Sequence, residues 1–135
     1  MSAESTPGLP PEIVEMLGNP NPAVIGTVRR NGAPVTVATW YLYRYERIVV
    51  NMDSGRRRLD HIRQDPRVSL TVLDRDDWGT HVSMQGRLTL LDDHDLRDID
   101  EIARHYTGQA YPQRDRPRVT GVLDIETWHG WGRFA

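Results

Sequence analysis

The 135-residue chain contains no cysteine and no lysine, and the two gaps remove whole classes of chemistry. Without thiols there is no disulfide, no thiolate nucleophile and no cysteine-ligated metal. Without a lysine amine there is no Schiff base and no lysine acting as base, and all 17 permanent cations are arginine. No apolar run approaches the roughly 20 residues that cross a bilayer. The opening Met1-Ser2-Ala3-Glu4 lacks the charged and apolar parts of a signal sequence, so a soluble cytoplasmic protein is expected. A net charge of -2 gives no general pull toward polyanions, which argues against nucleic-acid or membrane partners. Gly-x-Ser-x-Gly, Walker and GxGxxG patterns are all missing, and His61, His81, His94, His105 and His129 form no HxH or HExxH pair. A metal site would have to be assembled from distant segments, and none is assigned.

What the chain does have is one dense stretch from Asn51 to Leu73. Ile48-Val49-Val50 reads as a strand running into Asn51-Met52, after which Asp53 or Ser54 can cap a helix that begins near Gly55. Arg56, Arg57 and Arg58 then occupy the first turn, where the helix dipole disfavours cations but welcomes an anion. A bound phosphate would offset that misplacement, because a charge-assisted contact contributes about 1.5 to 3 kcal/mol against a dipole cost of about 0.3 to 1 kcal/mol per charge. A solvated basic turn is the other reading, and the run by itself favours that one. Pro66 ends the helix, and Val68, Leu70 and Val72 alternate with Ser69 and Thr71 as the next strand.

Around that stretch the pattern is mostly β. Residues 1–10 are small, polar and proline-rich, a mobile tail, and residues 11–135 read as one domain. Pro11–Leu17 is a short helix with Gly18 as its stop. Residues 23–29 and 35–43 are strands joined through Asn31-Gly32, a strong hairpin signal. The second of these runs is bulky on both faces, so a barrel interior is expected on one side and a further layer, such as a second subunit, on the other. Residues 74–79 read as an acidic loop, and residues 81–91 as a half-buried strand. Asp92 and Asp93 offer a cap for a helix through Tyr106, with Leu96, Ile99, Ala103 and Tyr106 on its inner side. Tyr111–Pro117 is a loop, and a last strand alternates Val119, Gly121, Leu123 and Ile125 ahead of Trp128-His129-Gly130-Trp131. Six or seven mostly antiparallel strands with two or three helices make a small β-barrel with helical additions.

The order strand, Asn-Gly hairpin, strand with Trp40, strand ending in Asn51, Gly-Arg-Arg helix and Asp65-Pro66-Arg67-Val68-Ser69-Leu70 resembles the pyridoxamine 5'-phosphate oxidase-like split-barrel superfamily. Within it the chain is similar to the short, single-domain deazaflavin (coenzyme F420)-dependent reductases. That resemblance implies a mainly β, antiparallel split barrel with Greek-key features, homodimeric, with the cofactor at the dimer interface. It implies that Arg57 and Arg58 clamp a cofactor phosphate, with Arg56 available for an acidic tail. Asn51 and Met52 would lie along the ring and phosphate, and the backbone of Val37, Ala38 and Thr39 would face the ring. His81 would reach the ring from the partner subunit, and Trp131 would stand near the cofactor. Hydride transfer between coenzyme F420 and a small planar acceptor is the implied activity, with no catalytic side chain assigned and His81, Tyr41 or solvent as proton source. FMN is the alternative cofactor, through an oxidase or reductase of the pyridoxamine phosphate type, whose Arg-x-His segment has no counterpart after Trp131. A non-enzymatic flavin, deazaflavin or haem binder is the third reading.

Overall fold

The computed structural model describes residues 8–135. Helix α1 spans Pro11–Leu17, followed by strands β1 (Ala23–Val28), β2 (Pro34–Thr39), β3 (Leu42–Arg44) and β4 (Arg47–Asp53). Helix α2 (Arg57–Gln64) precedes β5 (Arg67–Asp74) and β6 (Asp77–Asp92); helix α3 (Arg97–Thr107) and β7 (Arg118–Trp131) complete the set. The seven strands form one antiparallel sheet in the order β2-β1-β5-β6-β7-β4-β3. The two edge strands β2 and β3 do not pair with each other, so the sheet is an open, split barrel. Of the expected tail, residues 1–7 lie outside the described residues, and Leu9 packs against the core.

The core follows from alternation. Ala23 and Ile25 of β1, Val68, Leu70 and Val72 of β5, and Val82, Met84 and Leu88 of β6 all point to one side and are buried. Ile13, Met16 and Leu17 of α1 and Leu59 and Ile62 of α2 close over that side. A second, smaller cluster joins Leu42 and Val49 to Ile99 and Ile102, which fixes α3 against β3 and β4. Strands β6 and β7 pair from Asp92 to His81 with one interruption, where the register slips between Gln85 and Gly86 and Glu126 has no partner. Gly86 is required at that bulge because a Cβ there would overlap the Asp124 carbonyl.

Five local expectations need correction. The run 35–43 is two strands, not one. It breaks at Trp40-Tyr41, where the Tyr41 N–H donates to the Tyr106 hydroxyl (3.3 Å) instead of to a neighbouring strand. The chain thereby crosses from one sheet edge, β2 on β1, to the other, β3 on β4. The barrel interior expected behind this run is not there for its first half, since β2 is an exposed edge strand. Neither Asp53 nor Ser54 caps α2. Asp53 turns its carboxylate to the Gly55 N–H (2.8 Å) and to Arg116 (2.8 Å), leaving Arg56 at the cap position without a side-chain cap. The acidic loop shrinks to a tight turn at Arg75-Asp76, because Asp74 Oδ1 accepts from the Asp76 N–H at 2.9 Å and β6 starts at Asp77. Helix α3 begins only at Arg97, after a single 3-10 turn in which Asp95 and Leu96 adopt positive φ angles of 57° and 59°. Asp93 nevertheless caps it, accepting from the N–H groups of Asp98 (2.8 Å) and Ile99 (3.0 Å). Finally, the last strand continues through the Trp128–Trp131 segment, held by β6 along its length. No helix among the described residues is long and apolar enough to cross a membrane.

Candidate functional site

A cleft of about 600 Å³ opens where the ends of β2 and β4 meet α2, α3 and the loop before β7. Its apolar side is an aromatic platform. The Trp40 and Tyr106 rings stack at 5.0 Å with 13° between planes, and Tyr41 meets Tyr106 edge-on. The platform is held from behind, since the Tyr106 hydroxyl donates to the Asn21 carbonyl at 2.6 Å. Burial pushes the Tyr106 phenol up to about 12, so it stays protonated through the neutral range. Tyr41 is more deeply enclosed, its hydroxyl directed at the carbonyls of Leu17 (2.8 Å) and Asn19 (3.1 Å), and burial raises its pKa further. A phenol so occupied cannot reach an acceptor in the cleft, which removes Tyr41 as a proton source.

The polar side is built from β4 outward. Asn51, buried at the end of that strand, donates to Asp93 (2.9 Å) and Thr120 (3.2 Å) and accepts from Arg118 Nε (2.7 Å). Both amide donors are thereby engaged within the protein, and the oxygen holds Arg118. The Arg118 guanidinium also lies 4.6 Å over the Tyr111 ring, so it is held by a hydrogen bond on one side and an aromatic face on the other. The loop that carries it is pinned at two points. Asp100 takes both Arg114 terminal nitrogens, at 2.8 and 2.9 Å, and also accepts from the Tyr111 N–H; Asp53 takes Arg116.

Arg58, on the first turn of α2, lines the same cleft. Its Nη1 is buried with no hydrogen-bond partner. Loss of water and then the Arg56 charge pull its pKa below the ordinary arginine value. Arg58 thus holds a guanidinium nitrogen without a partner at a helix start, where N–H groups and dipole favour anions. The surroundings of Asp53 locate the wider cluster. Its pKa is lowered first by the Gly55 N–H and then by Arg116, Arg118 and Arg56, so arginines from two distant segments converge there.

The sequence-predicted site residues therefore divide. Ala38, Thr39, Asn51 and Arg58 line the cleft together. Arg56 and Arg57 are exposed at the start of α2, and Val37 is exposed on the β2 edge. The Met52 side chain is in the core, 3% exposed, so that position offers the cleft no side chain. His81 and Trp131 face each other across β6 and β7 with rings stacked at 5.6 Å, and neither lines the cleft. Sequence reasoning missed Arg118, the Tyr111 ring beneath it and the platform role of Tyr106. The Arg116-Pro117-Arg118 triplet was a usable signal, a second basic run just ahead of a strand.

An open antiparallel split barrel with a basic helix start beside an aromatic cleft defines a flavin-type cofactor-binding class of fold. The family model described as pyridoxamine 5'-phosphate oxidase matches residues 9–132, and the chain belongs to that family. Among solved structures it is similar to an F420 reductase, with a TM-score of 0.81 and 21% identity over 90% of this chain and 98% of that one. It is also similar to a conserved hypothetical protein, Rv2991, from Mycobacterium tuberculosis, with a TM-score of 0.73 and 18% identity over 97% and 89% of the two chains. A third is a Listeria innocua protein named for pyridoxamine 5'-phosphate oxidase, with a TM-score of 0.69 and 16% identity over 88% and 94%. At these identities the likeness is one of fold. No curated protein matches the chain.

Proposed function

We propose that this protein is an F420-dependent oxidoreductase that passes a hydride between the deazaflavin and a small planar acceptor. The observation that carries the reading is Arg58, a guanidinium with a buried, unpartnered nitrogen at a helix start on the wall of an aromatic cleft. Family membership and the F420 reductase among its structural neighbours support it. A phosphate fits this donor set: Arg58, with exposed Arg57 beside it, would hold the phosphate and Arg56 would meet an acidic tail. The backbone of Val37, Ala38 and Thr39 would face the ring. When bound, the deazaflavin supplies the hydride-carrying carbon. The protein's share of the work is binding, stacking and exclusion of water, which need no nucleophile.

A homodimer belongs to the same reading. The exposed β2 edge, with Val37 and Trp40 each 37% exposed, is the surface that a second copy would cover. His81 and Trp131 would then approach the cofactor from the partner, and a cytoplasmic setting is part of this proposal. The test is spectroscopic. Reduced F420 is mixed with the protein and a panel of quinones and activated alkenes, and the return of oxidised deazaflavin absorbance is followed. Oxidation that depends on both protein and acceptor is expected; failure of F420 to bind, or tight FMN binding in its place, contradicts the proposal.

A further inference from the structure

Arg118 is absent from the phosphate clamp yet is the most firmly positioned cation in the cleft. Asn51 Oδ1 takes its Nε at 2.7 Å, and Asn51 is in turn fixed by Asp93 and Thr120. Tyr111 covers one face of the guanidinium at 4.6 Å. The neighbouring arginines of its own segment are consumed, Arg114 by Asp100 and Arg116 by Asp53. Among the described residues Arg118 makes no ion pair, and only its Nε donates a hydrogen bond, which leaves its two terminal nitrogens free there. A guanidinium whose Nε is tied down and whose central carbon sits over an aromatic ring offers those two nitrogens as a preset fork, which matches the two oxygens of a carboxylate. Little side-chain freedom is left to lose on binding.

The geometry points to Arg118 as a specificity-determining residue that receives a carboxylate on the acceptor, so that the substrate class is a planar organic acid. Its ring would lie against the Trp40–Tyr106 platform, which lines the same cleft. The acceptor role rests on the oxidoreductase reading; the carboxylate preference does not. The same chemistry could come from an acidic cofactor tail, and the test separates the two sources.

The measurement is a ligand-observed NMR titration of the full chain with 2-naphthoate and with 2-naphthamide, which share a ring and differ in charge. The parent should bind the acid roughly ten- to a hundredfold more tightly than the amide, as a charge-assisted fork implies. Arg118→Gln should bring the ratio close to one, and Arg118→Lys should recover part of it. F420 and FMN affinities, titrated alongside, should stay within about twofold in Arg118→Gln, because their phosphate is expected on Arg57 and Arg58. The inference is overturned if the parent shows no preference for the acid. It is equally overturned if the preference survives Arg118→Gln, or if Arg118→Gln weakens F420 but not FMN, which would assign the residue to the cofactor tail. If F420 fails to bind the parent while the acid preference still tracks Arg118, the cofactor reading fails and the carboxylate site stands.

Discussion

Two arginine-rich segments meet at one end of the sheet, Arg56 to Arg58 and Arg114 to Arg118, and the environment answers their charges in opposite ways. In the second segment Arg114 and Arg116 are paired with carboxylates and Arg118 is hydrogen-bonded to Asn51. In the first, Arg56 and Arg57 stand in solvent and Arg58 carries a buried nitrogen with no partner. Composition makes the segments alike; only the fold separates structural cations from those left open for a ligand. Arg114 and Arg116 should therefore matter to stability, and Arg58 and Arg118 to binding.

The largest effect is expected where the second segment is anchored. Asp93→Ala strips an acceptor from the Asn51 amide and from the N–H groups of Asp98 and Ile99, all of them wholly or partly buried. At about 1 to 3 kcal/mol per abandoned donor, partly relieved by water, the loss should be roughly 3 to 5 kcal/mol. Urea unfolding measures it, and a loss under about 1 kcal/mol would show that the network does not hold the cleft. Arg114→Ala should be smaller, because water screens the exposed guanidinium of that pair, and should be seen as a slightly lower Tm. Unchanged F420 affinity in that variant would keep the two segments distinct.

Arg58→Met should show the reverse sign. Removing a partly buried cation without a partner should hold or raise the Tm, by no more than about 1 kcal/mol in stability. A marked fall in Tm would mean that Arg58 is structural after all.

The smallest effect is one of pH. Arg114, through its hydrogen bonds, holds the Asp100 carboxyl below its ordinary value of 3.8. A folded pKa below the unfolded one stabilises above the unfolded value and is lost as pH falls through the folded value. The loop should stay pinned at neutral pH and loosen only below about pH 4. Hydrogen exchange at the Tyr111 amide, which Asp100 also accepts, would report it; loosening between pH 5 and 7 would implicate another group.

Much of the fold was legible because alternation is a local signal. The Val68-Leu70-Val72 and Val82-Met84-Leu88 faces are buried as read, and the Asn31-Gly32 turn joins β1 to β2 with Gly32 at φ 88°. Less legible was what depends on distant partners. The run 35–43 is continuous in β propensity, and only Tyr106, 65 residues away, takes the Tyr41 N–H and ends β2. Asp53 is as good a cap as any in isolation, but Arg116, distant in sequence and just ahead of the neighbouring strand β7, draws it off. The same holds for the site. Arg58 and Asn51 were found because they lie on one stretch, whereas Arg118 joins them only through the pairing of β4 with β7.

Arg58, whose Nη1 has no partner among the described residues, is the residue proposed to hold a phosphate. That role is tested most directly by titrating F420 into the parent and into Arg58→Ala, with Arg114→Ala as the structural control. The account predicts a drop in affinity of roughly ten- to a hundredfold for Arg58→Ala alone, the equivalent of one charge-assisted contact. Equal affinity in the parent and in Arg58→Ala would contradict it.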